Sequence, residues 1–263
     1  MSLIEPISAD FDAPHVHGIA ATHVGCVRSS NQDSYCINPA AGVWAVADGM
    51  GGHNGGERAS ALIVAALEAL PEQSVFADKL VALRQAITNA NRAIFDEAQA
   101  NRQQMGSTVV ALVIGDGHYA VVWAGDSRAY LNRDKRLDCL TRDHSQAEEL
   151  VAAGVLDRQD VVGHPSSHVL VRAVGVLPDI EVEQIHGQIA DDDVFLLCSD
   201  GLYNLVSEAE MAKLIDTREF DRASEQLVEL GLERGAPDNI TFCLVSIGHG
   251  GVISDNISGS FQQ

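Results

Sequence analysis

Apolar and polar residues follow two different periods along the chain, which predict separate blocks of helices and strands. Apolar residues recur every three or four positions in four segments, a spacing typical of amphipathic helices. The predicted helices are residues 54–70, 76–98, 208–215 and 223–234. Asn54, followed three residues later by Glu57, predicts a capping box at the start of the first helix.

Short runs rich in β-branched and aromatic residues predict strands before, between and after the helices. These runs are residues 15–27, 35–38, 43–47, 107–114, 119–124, 128–131, 137–141, 180–188, 194–198 and 240–247. The closely spaced runs after the second helix favour an antiparallel meander. Because strands and helices form separate blocks, we expect one α+β layered domain rather than a doubly wound parallel sheet.

Three segments differ from this pattern and set the expected domain limits. Residues 1–14 are predicted to be an N-terminal arm, and residues 248–263, rich in Gly and Ser, a flexible C-terminal tail. Residues 15–247 are predicted to form the single domain. Within it, residues 145–178 mix a short helix with Gly, Pro and Ser and are expected to form a flap. The run Asp191-Asp192-Asp193 is expected to be a solvated turn.

The charge balance excludes several functional classes. The 263 residues include 17 Lys+Arg and 37 Asp+Glu, a net charge of −20, so binding to nucleic acids or anionic membrane surfaces is disfavoured. No apolar run is long enough to span a membrane and no signal-peptide pattern is present, so we expect a cytoplasmic protein. The five cysteines show no C-x-x-C spacing and are expected to be buried, reduced thiols.

Five aspartates lie in turns at the ends of predicted strands, and together they predict a metal site. They are Asp33, Asp48, Asp126, Asp200 and Asp238. Each one alone is an ordinary turn residue. If the strand ends bring them together, each carboxylate raises its neighbours' pKa unless cations compensate. Carboxylate ligands without closely spaced His or Cys favour Mn²⁺ or Mg²⁺ over zinc.

This combination resembles the metal-dependent protein phosphatases, the type 2C serine/threonine phosphatases, of the bacterial type. The matching motifs occur in the family's order between residues 25 and 240. They are Arg28-Ser-Ser-Asn31-Gln-Asp33, Val46-Ala-Asp48-Gly49-Met50-Gly51-Gly52-His53, Gly106-Ser-Thr108, Gly125-Asp126-Ser127-Arg128, Leu197-Cys-Ser199-Asp200-Gly201-Leu202 and Asp238-Asn239. The resemblance implies a four-layer α+β sandwich, in which two antiparallel β-sheets are flanked by antiparallel helix pairs and a flap lies beside a metal cleft.

The resemblance implies a centre of two Mn²⁺ or Mg²⁺ ions, with a third ion in bacterial-type members. Asp48 would bridge two ions, and the main-chain carbonyl of Gly49 would ligate one of them. Asp200 and Asp238 would complete the ligands of the first ion. Asp126, together with Asp200, would hold the third ion.

The resemblance also implies catalytic roles for Arg28, Asp33 and Asp48. Arg28 would hold the substrate phosphate through a two-pronged guanidinium contact that Lys cannot reproduce. Asp33 would orient a water molecule at the metals. Two positions depart from much of the family: Gln32 replaces an acidic residue, and Met50 replaces a histidine proposed as a general acid in animal members.

The implied activity is hydrolysis of phosphoserine and phosphothreonine in proteins by a metal-activated water. The implied partners are phosphoproteins, including a cognate bacterial Ser/Thr kinase and its targets, and a monomer is expected. Two alternatives stay open: a catalytically weak or inactive phosphatase-like regulator that binds phosphoproteins, and an acidic interaction module. The net charge further predicts faster hydrolysis of substrates with basic residues near the phosphorylated side chain, an advantage that salt should reduce.

Overall fold

The computed structural model describes residues 15–52, 54–161, 163–216 and 219–248. The strands are β1 (His15–His23), β2 (Asp33–Asn38), β3 (Val43–Met50), β4 (Gly106–Ser107), β5 (Val109–Gly115), β6 (His118–Ala124), β7 (Arg128–Arg133), β8 (Arg136–Cys139), β9 (Glu183–Gln188), β10 (Val194–Cys198) and β11 (Ile240–Gly248). The helices are α1 (Gly55–Glu68), α2 (Phe76–Asn101), α3 (Gln146–Ala152), α4 (Asp200–Tyr203), α5 (Glu208–Ile215) and α6 (Phe220–Glu233).

The strands form two antiparallel sheets. One sheet has the order β1-β11-β10-β7-β8. The other has the order β2-β3-β5-β6-β9, and β4 extends it by pairing with β3. Helices α1 and α2 contact the second sheet, whereas α5 and α6 contact the first. The predicted α+β sandwich of two antiparallel sheets with flanking helices is therefore confirmed.

Alternation along β3 shows how the layers are built. Val43, Ala45 and Ala47 pack into the core under α1 and α2. Trp44 and Val46 point the other way, into the core between the two sheets. Successive side chains of a strand face opposite sides of a sheet, so a strand covered on both faces is apolar throughout. A third buried cluster lies between the first sheet and helices α5 and α6.

Several predicted details differ from the structure. Strand β1 ends at His23 rather than at residue 27, because the chain turns at Gly25, whose φ is +81°. Asn54 occupies the N-cap of α1 but its side chain makes no capping hydrogen bond there, so the predicted capping box is wrong. All five cysteines are free, but Cys26 and Cys139 are exposed rather than buried.

The segment expected to be a flap contains α3 and two short 3₁₀ turns, Arg158–Asp160 and Pro165–His168. The expected N-terminal arm lies outside the described residues, as does the expected tail beyond residue 248. In the part of the chain that the structure describes, no helix is both long enough and apolar enough to cross a membrane.

Candidate functional site

Strand ends from both sheets meet at an open cleft with a volume of about 1630 Å³. Six of the seven predicted site residues line it: Arg28, Asp48, Gly49, Asp126, Asp200 and Asp238. Strand pairing explains why they meet, since the end of β10 lies between the start of β7 and the start of β11. Asp33 is the seventh residue, and it lies behind the cleft, directly opposite Asp48 in the β2–β3 register.

The main chain at Asp48 is fixed by hydrogen bonds from two neighbouring residues. The Asp48 N–H donates to Oγ1 of Thr108 at 3.0 Å, and the Thr108 N–H donates to the Asp48 carbonyl at 2.8 Å. The Ser107 hydroxyl donates to the same carbonyl at 2.9 Å. These contacts hold the end of β3 and aim the Asp48 side chain at the cleft.

Gly49 is required by close packing rather than by its backbone conformation. A Cβ atom at this position would overlap the backbone of Gly56 in the first turn of α1. It would also lie 2.5 Å from the carbonyl oxygen of Gln32. The absence of a side chain therefore lets α1 approach the strand that carries Asp48.

Asp33 is buried and its carboxylate is oriented by hydroxyl groups. The Ser199 hydroxyl donates to Oδ2 of Asp33 at 2.8 Å. Burial raises the pKa of Asp33 to about 6, although hydrogen bonds from Ser199 and Thr241 act in the opposite direction. The predicted role for Asp33 beside the metal ligands remains a prediction, but its position next to Asp48 is compatible with it.

The cleft carboxylates interact strongly with one another. Loss of hydration raises the pKa of Asp48 well above its usual value, and four other carboxylates add to this effect: Asp33, Asp200, Asp126 and Asp238. Burial raises the pKa of Asp126 to about 7, with further contributions from the charges of Asp200 and Asp143. The pKa of Asp200 is also raised by burial and by Asp238. The cleft thus concentrates negative charge that a bound cation would stabilise.

Arg28 does not point freely into the cleft but forms a salt bridge with Asp238. Its Nε donates to Oδ1 at 2.9 Å and its Nη2 donates to Oδ2 at 2.7 Å. The hydrogen bonds to Asp238 raise the pKa of Arg28, and the charges of Asp200 and Asp48 add to the effect. The predicted phosphate contact of Arg28 and the predicted metal ligation by Asp238 both require this pair to open.

The carboxylate oxygens in the cleft fit a divalent metal site, although the expected ligand side chains do not form a complete cluster. Within the described ranges, no three His, Cys, Asp or Glu side chains form a ready-made metal cluster. Both oxygens of Asp238 accept hydrogen bonds from Arg28. Asp48, Asp126 and Asp200 nevertheless share one cleft, and the charges of Asp200 and Asp126 add to the raised pKa of Asp48. Carboxylate oxygens of this kind are the ligands that Mn²⁺ and Mg²⁺ prefer.

Asn239 is a positioning residue that the sequence reasoning did not single out. Its Nδ2 donates to the carbonyl oxygens of Val24 at 2.9 Å and Ser30 at 3.1 Å. Its Oδ1 accepts a hydrogen bond from the N–H of Gln32 at 2.8 Å. One buried side chain therefore holds the whole loop that carries Arg28. The sequence feature that could have identified Asn239 is its place directly after Asp238 in the motif Asp238-Asn239.

The turn that carries Asp126 is held by a second set of contacts. The Tyr203 hydroxyl donates to the carbonyl of Asp126 at 3.0 Å, and the guanidinium of Arg128 lies 3.8 Å from the centroid of the Tyr203 ring. Arg128 also donates to both oxygens of Asp143, at 2.9 and 2.7 Å. Helix α4 therefore supports two of the cleft carboxylates. Asp200 is its first residue, and Tyr203, its last, holds the turn that carries Asp126.

The structure is a sandwich of two antiparallel sheets with a cleft of carboxylates at its strand ends, the architecture that the resemblance to metal-dependent protein phosphatases implied. The sequence model of the family described as protein phosphatase 2C matches residues 26–234. The chain therefore belongs to the protein phosphatase 2C family, as the motif resemblance predicted.

Relatives and solved structures agree with this assignment. The chain is 34% identical over 225 residues to the serine/threonine protein phosphatase PstP of Mycobacterium tuberculosis, covering 85% of this chain and 43% of that relative. The structure of PppA from Pseudomonas aeruginosa matches with a TM-score of 0.83 and 37% identity, over 89% of this chain and 98% of that one. The catalytic domain of PstP, solved in complex with two manganese ions, matches with a TM-score of 0.78 and 31% identity, over 90% of this chain and 100% of that one.

Proposed function

We propose that the chain hydrolyses phosphoserine and phosphothreonine in proteins, using two Mn²⁺ or Mg²⁺ ions and a third ion bound at the carboxylate cleft. Membership of the protein phosphatase 2C family supports this activity. The two manganese ions in the PstP catalytic domain support the choice of metal. The cellular substrates would be proteins phosphorylated by a bacterial Ser/Thr kinase, including the kinase itself, whose action the enzyme would reverse.

The metal ligands would come from the residues that line the cleft. Asp48 would bridge two ions, the Gly49 carbonyl would ligate one of them, and Asp200 and Asp238 would complete the set. Asp126 would hold the third ion together with Asp200. When bound, the ions would screen the phosphate dianion and activate water for in-line attack.

The chain's own groups would bind and orient the substrate. Arg28 would release Asp238 and turn its planar guanidinium group toward two phosphate oxygens. Asp33, whose carboxylate is fixed by the Ser199 hydroxyl, would orient the attacking water from behind Asp48. Asn239 would keep the loop of Arg28 in place through its three hydrogen bonds.

The observation that carries the proposal is the convergence of four carboxylates, Asp48, Asp126, Asp200 and Asp238, on one cleft. Burial and the surrounding carboxylates raise the pKa of Asp48. A protein gains nothing in stability from gathering such groups, since each like charge penalises its neighbours. Bound divalent cations would compensate the repulsion between these carboxylates. A phosphate dianion in the cleft would then meet positive charge.

A phosphothreonine peptide, with and without MnCl₂ and EDTA, tests the proposal directly. We expect hydrolysis only with the metal, and we expect Asp48→Asn to lower kcat by about 100-fold or more. Asp221→Asn is the matched control, because Asp221 lies in the first turn of α6 and does not line the cleft. Hydrolysis that survives EDTA, or that Asp48→Asn leaves intact, would reject the proposal.

A second candidate function is a phosphatase-like regulator that binds phosphoproteins with little turnover. The salt bridge between Arg28 and Asp238 favours it, because the bridge occupies an expected phosphate contact and an expected metal ligand at once. The same assay distinguishes the two functions. Phosphopeptide binding by calorimetry without metal-dependent turnover would support the regulator, and sustained turnover would exclude it.

A further inference from the structure

Two exposed apolar side chains that are consecutive in the sequence line the cleft. Val176 is 50% exposed and Leu177 is 61% exposed, and both border the cavity that contains Asp48. We call these two residues the apolar ledge. Single exposed apolar residues are common on protein surfaces, but a consecutive pair inside a functional cleft indicates a contact surface.

The backbone under the apolar ledge is held rigidly by Asn91 of α2. This side chain is buried, and its Oδ1 accepts a hydrogen bond from the Gly175 N–H at 2.7 Å. Its Nδ2 donates to the carbonyls of Leu177 at 3.0 Å and Pro178 at 3.2 Å. Gly175 itself has a φ of +85° and packs against Ile94 so closely that a Cβ would overlap that side chain. The ledge is therefore preorganised, which lowers the entropic cost of binding.

The apolar ledge is connected to the strand that carries Asp48. Ser107 and Val174 exchange two backbone hydrogen bonds, at 3.0 and 2.8 Å, and Ser107 pairs with Gly49. Val176 Cγ2 lies 3.0 Å from the position that a Cβ would take on Gly106, a residue paired with Met50. A short hydrogen-bonded path thus joins the ledge to the candidate metal centre.

Two carboxylates follow the apolar ledge in the sequence and line the same cleft. We call the ledge and these two residues, Asp179 and Glu181, the wall. Asp179 and Glu181 are exposed and line the cleft. Within the described part of the chain, neither forms an ion pair, whereas the nearby Arg172 is already paired with Glu183 at 3.2 Å. The far end of the wall is therefore an acidic surface without an internal counter-charge, and it would attract a basic group.

We propose that this wall binds the polypeptide beside the phosphorylated residue, with the apolar ledge contacting an apolar side chain and Asp179 and Glu181 contacting a basic one. The inference rests on the proposed function and specifies its substrate class. The cleft volume of about 1630 Å³ supports a polypeptide, because pockets for small molecules are usually only about 300–1,000 Å³.

The first test compares two substrates, p-nitrophenyl phosphate and a phosphothreonine peptide with an apolar and a basic residue beside the phosphothreonine. The measured quantity is the ratio of kcat/KM for the peptide to kcat/KM for the small ester. Leu177→Ser is expected to lower this ratio about tenfold, because it removes apolar contact area. Val81→Thr is the matched control, since Val81 is 67% exposed on α2 but does not line the cleft, and it should leave the ratio unchanged.

The second test addresses the acidic pair with peptides that carry Lys or Glu at the same position. Wild type should prefer the Lys peptide, and 0.5 M salt should reduce that preference, since the Debye length is then about 4–5 Å and charges farther apart than this are largely screened. The double change Asp179→Asn and Glu181→Gln should reduce the preference at low salt, and Glu225→Gln on the exposed face of α6 should not.

The outcomes separate this inference from the proposed function. Wild type that hydrolyses neither substrate with manganese overturns the proposed function, and the inference with it. The inference alone is overturned if wild type hydrolyses both substrates but the variants have no effect. In that case Leu177→Ser leaves the ratio of kcat/KM unaltered, and the double change leaves the preference for the Lys peptide unaltered. An equal loss on both substrates in Leu177→Ser, with an unchanged ratio, also overturns it, because the residue would then act only through structure.

Discussion

Arg28 and Asp238 form a two-pronged salt bridge at the mouth of the cleft, with N···O distances of 2.9 and 2.7 Å. Their side chains are 57% and 37% exposed. Because exposed ion pairs contribute only about 0–1 kcal/mol, a divalent ion or a phosphate dianion can displace either partner. If Asp238 ligates a metal ion and Arg28 binds the phosphate, as proposed, the pair would link the two events, because a cation at Asp238 would free Arg28 for the phosphate.

Arg28→Ala is expected to raise the affinity for manganese and to weaken substrate binding. The change frees both oxygens of Asp238 and removes a positive charge from the cleft. We expect the manganese Kd, measured by calorimetry, to fall about threefold to tenfold. The KM for a phosphopeptide should rise, and Arg28→Lys should not restore it, because Lys lacks the planar fork. Weaker manganese binding in Arg28→Ala would contradict this account.

The metal-free protein is expected to become more stable as the pH falls from about 7 toward 5. Burial raises the pKa of Asp126 to about 7 and that of Asp33 to about 6, from an ordinary value of 3.8. A raised folded-state pKa means that the folded protein keeps protons that the unfolded chain has released, so unfolding becomes harder at lower pH in this window.

Urea unfolding in EDTA at pH 7.5 and pH 5.5 checks this expectation. The unfolding free energy should be larger at pH 5.5 by on the order of 2 kcal/mol. Asp126→Asn should reduce the difference, because the amide does not titrate. Saturating manganese should remove most of it as well, since the bound ions favour the ionised carboxylates. Greater stability at pH 7.5 in EDTA would contradict the pKa directions.

Gly49→Ala is expected to destabilise the protein and abolish activity. The added Cβ would overlap the backbone of Gly56, which cannot move without displacing α1. We expect a loss of about 2–3 kcal/mol in unfolding free energy, a size typical of overpacking. Gly52→Ala is the control, because a Cβ there has open space and should cost less than about 0.5 kcal/mol. Equal thermal stability of the two variants would show that α1 can shift.

Local sequence patterns were sufficient to predict most of the fold. Helix α5 and strand β10 have the predicted limits, because their apolar periodicity is continuous and turn residues bound them. Strand β4 and helix α4 were missed. They have only two and four residues, too few to show a period, and their neighbours in space determine them.

The candidate site was only partly predictable, because its contacts join distant parts of the chain. The motifs identified the aspartates, but not that Arg28 pairs with Asp238, 210 positions away. Nothing local to Asn91 indicates that it holds the loop at Gly175, 84 positions away. The expectation of a solvated turn at residues 191–193 was wrong for Asp193, which is fully buried against Arg133.

The ion pair between the partly exposed Arg133 and the buried Asp193 is expected to show an asymmetric response to mutation. Asp193 accepts hydrogen bonds from Arg133 at 2.7 and 2.6 Å and from the Ala190 N–H at 2.7 Å. Arg133→Leu leaves a buried carboxylate without its counter-charge and should cost about 3–5 kcal/mol in unfolding free energy. Asp193→Asn leaves a half-exposed guanidinium that water can solvate, so we expect a smaller loss of about 1–3 kcal/mol.

Denaturant unfolding of both variants, with Asp96→Ala as the control, measures this asymmetry. Asp96 forms an exposed pair with Arg92 within α2, and its removal should change stability by less than about 0.5 kcal/mol. If Asp193→Asn cost more than Arg133→Leu, the expected asymmetry would be wrong. Because the amide oxygen of asparagine can still accept from the Ala190 N–H, the loss would then come from the contacts with Arg133 and not from main-chain capping.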